Sequence, residues 1–288
     1  MEKMEINNLL IRVQELQKSN WLHALHLLYE AKERYPEDPR LSIAQAELYL
    51  SRMQYEKALS SYISALAIDP GNQQILVAIA GCYMATGEYR LALAYYQRVV
   101  NPADELVYNI ALAQAFLGKH YDSIESIKRI LPRMDRHPFL YFIIVEQLYR
   151  LGKLDEAVEY LDLAFSKAGS HTQLYLLAGV IYGQKNNWLK AYHSYKTADL
   201  QNMIVNPDHL MQYAKAAQNI GLLDKAKEIL MRAIHANPYV SEVYAELIKI
   251  HLEAGDTESA QLVLKLAQSK VTRMSPVLKL LQERLRDS

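Results

Sequence analysis

Residues 73–100 read QQILVAIAGCYMATGEYRLALAYYQRVV. Within this stretch Leu76, Ile79, Ala80 and Tyr83 recur at the i, i+3, i+4, i+7 interval of one helix face. Gly87 then marks the end of the first helix, because glycine takes the left-handed cap conformation without steric cost. A second helix follows, with Ala92, Tyr96 and Val99 on its inner face. The small side chains Ala80 and Ala92 allow the two backbones to approach closely, and the large ones fill the space beside them. One such pair cannot bury its own apolar face, so it has to stack on others like it.

The same pattern returns along the chain. A turn residue is followed two places later by a large residue and three places after that by a small one. It reads Gly87/Tyr89/Ala92, Gly118/His120/Ser123, Gly152/Leu154/Ala157, Gly221/Leu223/Ala226 and Gly255/Thr257/Ala260. Weaker copies put Ser19, Met53 or Asn186 in the glycine place, followed by Trp21/Ala24, Tyr55/Ala58 and Trp188/Ala191. The small residues are therefore Ala24, Ala58, Ala92, Ser123, Ala157, Ala191, Ala226 and Ala260, at intervals of 34, 34, 31, 34, 34, 35 and 34. Prolines near the end of several units (Pro36, Pro70 and Pro238 in one place, Pro102 and Pro132 close to it) suit a helix stop and the start of the next helix.

These positions resemble the tetratricopeptide repeat family. The residues that carry the resemblance are Ala46, Tyr49, Tyr55, Ala58, Tyr62, Ala65 and Pro70 in the second unit. In the third they are Leu76, Ala80, Tyr83, Gly87, Tyr89, Ala92 and Tyr96. The resemblance covers residues 5–274 as eight units starting near 5, 39, 73, 104, 138, 172, 207 and 241, with a capping helix at 276–286. It implies an all-α fold: one array over residues 1–288, a right-handed superhelical solenoid of helix-turn-helix repeats closed by that cap. The fourth unit departs most. Gln114 stands for an aromatic there, Ser123, Ile127 and Ile130 replace Ala, Tyr and Ala, and the preceding connection is three residues short. A local change of superhelical pitch is expected at that point. At the ends, Asn8, Arg12 and Glu15 suit a first helix with an uncovered outer face, and Leu278, Leu281 and Leu285 form the inner side of the cap.

In this family the first helices line a concave groove where ligands bind. Carried over by position, one row of groove residues includes Val77, Tyr108, Phe142, Leu176 and Met211. A second includes Met84 and Tyr149, and a row between them includes Leu112, Glu146, Val180 and Lys215. The middle of this surface is apolar and its C-terminal third turns polar, with Gln212, Lys215, Gln218 and Asn219. An exposed apolar strip marks a binding surface. A peptide or helix with apolar anchors is the ligand it suits, although the same side chains could instead pack between adjacent first helices. A subgroup of the family grips chaperone C-terminal carboxylates with Lys, Asn and Arg on successive first helices. The matching places here carry Ile43/Glu47, Ala78 and Glu105/Asn109, which offer no such set.

Composition excludes several other classes. Lys plus Arg and Asp plus Glu number 32 each, so the net charge is zero, and non-specific nucleic-acid binding needs a cationic surface. The single Cys, Cys82, cannot form an intramolecular disulfide and lies within an apolar helix with no neighbouring charge to activate it. Of nine His only His23 and His26 are close on one helix, short of a zinc set. No phosphate-cradling loop or nucleophile motif occurs, so neither cofactor nor metal is expected. The acidic pairs Glu37-Asp38, Asp104-Glu105 and Asp155-Glu156 stand at helix starts, where they favour the helix dipole. The longest apolar run, Ile75 to Ala85, falls short of the roughly 20 residues of a membrane span, and the N-terminus lacks a signal pattern. The sequence thus points to a cytoplasmic, monomeric, non-catalytic scaffold or adaptor that binds protein. A chaperone-like holder of apolar segments and a substrate-recruiting subunit of an enzyme complex are the alternatives.

Overall fold

A computed structural model of the chain describes residues 2–168, 172–200 and 204–286. These residues form helices α1 (Glu2–Ser19), α2 (Trp21–Arg34), α3 (Pro39–Leu50), α4 (Tyr55–Ile68), α5 (Gln73–Ala85), α6 (Tyr89–Tyr96), α7 (Asp104–Phe116) and α8 (His120–Ile130) in the N-terminal part. The C-terminal part holds α9 (Pro138–Arg150), α10 (Leu154–Lys167), α11 (Thr172–Gln184), α12 (Trp188–Leu200), α13 (Pro207–Asn219), α14 (Leu223–Ala236), α15 (Ser241–Glu253), α16 (Thr257–Lys270) and α17 (Pro276–Arg286). No strand occurs among the described residues. The fold is therefore all-α and built of helix pairs, as the periodicity requires. None of the described helices is long and apolar enough to cross a membrane.

The chain divides into two compact units, Met1–Arg133 and Met134–Ser288. Within each, every helix packs on the one that follows it. In the C-terminal unit the odd-numbered helices α9, α11, α13 and α15 also touch in series, making a wall of first helices. α17 lies on α15 and α16, burying Leu278, Leu281 and Leu285.

The small residues that set the period all have 0% exposure, from Ala24 to Ala260 and including Ser123. They are the contact points of the pairs. A larger side chain there would push the helices apart. Ser123 keeps the place by donating its hydroxyl to the Ala111 carbonyl at 2.8 Å, so the polar atom is not orphaned. Ile127 and Ile130, which stand for Tyr and Ala, are also fully buried. Gln114, in the aromatic place, accepts a hydrogen bond from Ser126 at 2.8 Å.

The turn between paired helices is the same in most pairs. In the third, Gly87 has φ +81°, its N–H bonds the Met84 carbonyl, and the Glu88 N–H reaches back to the Tyr83 carbonyl at 2.8 Å. That double bond is the Schellman closure of a helix end. Gly118, Gly152, Gly221 and Gly255 share the left-handed conformation, and so do Met53 and Asn186 in the weaker copies. The first pair differs: α1 runs through Ser19, and Asn20 caps α2 through the His23 N–H. The short third-to-fourth connection is taken up in α6, which stops at Tyr96. Pro102 bars Asn101 from the right-handed helical region, and Asn101 turns left-handed at φ +51°.

Candidate functional site

The first helices carry all but one of the predicted surface residues at one level of burial. Val77, Met84, Tyr108, Leu112, Phe142, Glu146, Tyr149, Leu176, Val180 and Met211 are all half-buried, and Lys215 is exposed. None lies in the sealed core. This follows from helix geometry: residues three or four places from a core position sit on the shoulder of the buried stripe.

In the N-terminal unit, α5 supplies Val77 and Met84, and α7 supplies Tyr108 and Leu112. Val77 and Met84 lean against the cluster of Ala80, Ala92, Tyr96 and Leu106, so they serve packing as well as the face they present. Gly81 lies between them on α5, exposed, with nothing within 4 Å of where a Cβ would stand. Burial pushes the Tyr108 phenol above its ordinary pKa, so it stays a neutral donor at physiological pH. Nearer the N-terminus, a cleft of about 170 Å³ separates α1 from α3, with Val13, Gln14, Ile43 and Glu47 in its lining.

In the C-terminal unit the polar members of the set are already engaged. The Glu146 carboxylate accepts from the Arg150 guanidinium at 2.7 Å, one turn along α9. The Tyr149 hydroxyl accepts from the Gln184 amide at 3.1 Å, tying α9 to α11. The Lys215 ammonium stands over the Trp188 ring, 5.6 Å from its centre, within cation–π range. The apolar members of this unit are Phe142 on α9, Leu176 and Val180 on α11 and Met211 on α13.

A second cleft, of about 410 Å³, opens between α13 and α15. Met211 and Lys215 of the predicted set line it, together with Glu242, Glu246 and Ile250, which the sequence rows did not include. Glu242 and Glu246 are the second and sixth residues of α15, outside the repeat positions from which the rows were drawn. Two carboxylates four residues apart in the last first helix were the signal that could have found them.

Other groups with chemical potential have structural roles. Cys82 is buried, and burial pushes its thiol above the ordinary value, away from a nucleophilic thiolate. Asp38 caps α3 and holds Arg40 at 2.6 Å. Asp104, in the first turn of α7, takes both Arg133 guanidinium bonds, at 2.6 and 2.8 Å. Among the described residues, no group of three His, Cys, Asp or Glu is placed to hold a metal ion.

Comparison with known proteins agrees with this architecture. Residues 49–115 match the family model described as "Tetratricopeptide repeat", and residues 24–67 match "YpiA-like, tetratricopeptide repeats". The C-terminal part of a TPR repeat-containing protein from Cytophaga hutchinsonii superposes with a TM-score of 0.65 at 16% identity, over 81% of this chain and 97% of that one. A tetratricopeptide repeat protein from Parabacteroides merdae gives 0.58 at 15% identity, over 86% and 99%. Among curated proteins, the BBSome complex member BBS4 of Bos taurus is 23% identical over 192 residues, 62% of this chain. The match spans 37% of that relative's length.

Proposed function

We propose that this chain, a tetratricopeptide repeat protein, is a non-catalytic scaffold or adaptor that grips a peptide or helical segment of a partner on its first-helix faces, arranged as one array. The observation that carries the reading is the uniform half-burial of apolar side chains on those faces. They are Val77, Met84, Tyr108 and Leu112 in one unit and Phe142, Tyr149, Leu176, Val180 and Met211 in the other. Side chains of this kind gain apolar burial when a partner covers them and lose little order in doing so, because their stems are already packed. Tyr149 adds a hydroxyl positioned by Gln184, which suits a site that needs area and one directional bond. The curated relative's membership of a complex points in the same direction.

The test is capture of a partner by the full chain, repeated with Leu176→Asp and Val180→Asp in the C-terminal unit and Leu112→Asp in the N-terminal one. Binding is expected to fall steeply in each while the melting temperature moves by a few degrees at most. Unchanged capture by all three variants would refute the first-helix faces as the site. Peptide mapping of what is captured separates a scaffold, which holds one defined partner, from a holder of many unrelated apolar segments.

A further inference from the structure

We propose that the α13–α15 cleft of the C-terminal unit is a subsite for a cationic side chain, arginine or lysine, carried on an apolar segment of the partner. The proposal rests on the first-helix faces being a protein-binding surface, and it adds the chemistry of what enters at this end. The cleft's volume, about 410 Å³, holds a long side chain and its immediate neighbours but not a whole helix. Its apolar lining comes from Met211, Ala214, Leu230 and Ile250. The methylene stem of a lysine or arginine packs on such a lining while its head group stays polar.

The distribution of charge around the cleft selects the sign of that head group. Glu242 and Glu246 stand one turn apart on α15, and both line the cavity. Each of the two lysines that share the lining is already occupied. Lys249 donates to Glu246 at 2.7 Å, and the Lys215 ammonium is held over the Trp188 ring. Gln218, which also lines the cleft, is turned to Glu253 at the far end of α15, 2.7 Å away. Glu242 has no ion pair among the described residues. A cation entering the cleft completes Glu242 and shares Glu246. An anion meets the unpaired Glu242 and has to draw Lys215 off the indole or Lys249 off Glu246.

The experiment uses the full chain and three fluorescein-labelled peptides of sequence Gly-Ser-Leu-Leu-Xaa-Leu-Leu-Ser-Gly, with arginine, norleucine or glutamate at Xaa, followed by fluorescence anisotropy. The arginine peptide is expected to bind about tenfold more tightly than the norleucine peptide, and the glutamate peptide more weakly than either. The preference should shrink as salt is raised. Glu242→Gln combined with Glu246→Gln should bring the arginine peptide to the level of the norleucine peptide measured on the same variant. Glu242→Gln alone, which leaves the Lys249–Glu246 pair in place, should remove part of the preference. Equal binding of the arginine and norleucine peptides, a glutamate preference, an arginine preference that survives in the double variant, or no binding of any peptide would each overturn the proposal. Binding of the norleucine peptide without discrimination would do so while leaving the broader apolar-face reading standing. That reading falls only if the Asp substitutions on the first helices leave partner capture intact.

Discussion

The Tyr195 ring of α12 lies directly on Gly179 of α11: a Cβ at Gly179 would stand 2.7 Å from the ring carbon that bears the hydroxyl. Real Cβ atoms do not approach a ring that closely, and Tyr195, at 1% exposure, has no room to retreat. Gly179→Ala should therefore destabilise the C-terminal unit by about 2 kcal/mol, the usual scale of overpacking. The place of Tyr195 is held by Leu161, Leu230 and Leu264 in other repeats. Tyr195→Leu should accordingly rescue much of the loss, which a double-mutant cycle by urea unfolding would measure. Additive effects of the two substitutions would show that the contact is not the cause.

The same tyrosine carries a second cost. Its hydroxyl is buried without a hydrogen-bond partner. Burial raises its pKa first, with the neighbouring Tyr149 adding to the effect, so the phenol is neutral at any ordinary pH. Tyr195→Phe removes a buried, unsatisfied group and should stabilise the fold by about 1 kcal/mol. A loss of stability of that size would mean that the hydroxyl is satisfied in solution.

Met53 occupies the turn place that glycine fills elsewhere, at φ +55°, and its side chain is 76% exposed. It bears the left-handed strain without burying area in return. Met53→Gly should stabilise the N-terminal unit by about 1 kcal/mol, and Gly87→Met should cost a similar amount. The readout is the urea midpoint at constant slope, and no difference between the two directions would remove the strain argument.

Asp256 caps α16. Its carboxylate accepts the Ser259 N–H at 3.0 Å and faces the His251 ring at 3.2 Å. The Ser259 bonds, and after them His251, hold its pKa below the usual aspartate value of 3.8. A carboxylate depressed in the folded state contributes stability that is complete above its unfolded pKa and is lost as pH falls through the folded value. Melting temperature followed from pH 6 downward should therefore drop more steeply below about pH 4 in the wild type than in Asp256→Asn. Asparagine keeps the cap but does not titrate. Parallel curves would assign the acid sensitivity to other carboxylates, among them Asp104 and Asp224, whose pKa values are also lowered, by Arg133 and Lys227.

The repeat was legible because its controlling contacts are local and recur. Ala58 and Ala92 had to be small, and Gly87 had to turn, for reasons contained within some thirty residues of chain. Periodicity alone was enough to place the helix pairs. The same logic brought the candidate surface residues to the shoulder of the first helices, Val77 and Val180 alike. It did not reveal that Val77 leans into a core cluster, or that Glu146 spends its charge on Arg150.

The amino-acid order by itself determined the elements: which residues are helical, where the turns fall and which side chains each pair buries. It did so because those choices follow from residues three or four places apart on one helix face and from the turn residue that ends it. Tertiary structure alone decided what distant side chains do to one another. It set the ring of Tyr195 on Gly179, drew Lys215 over Trp188, closed Gln218 onto Glu253 and left Glu242 facing an open cleft. Those relations depend on distances of a few ångströms between separate helices, and a hydrophobic period carries no record of them.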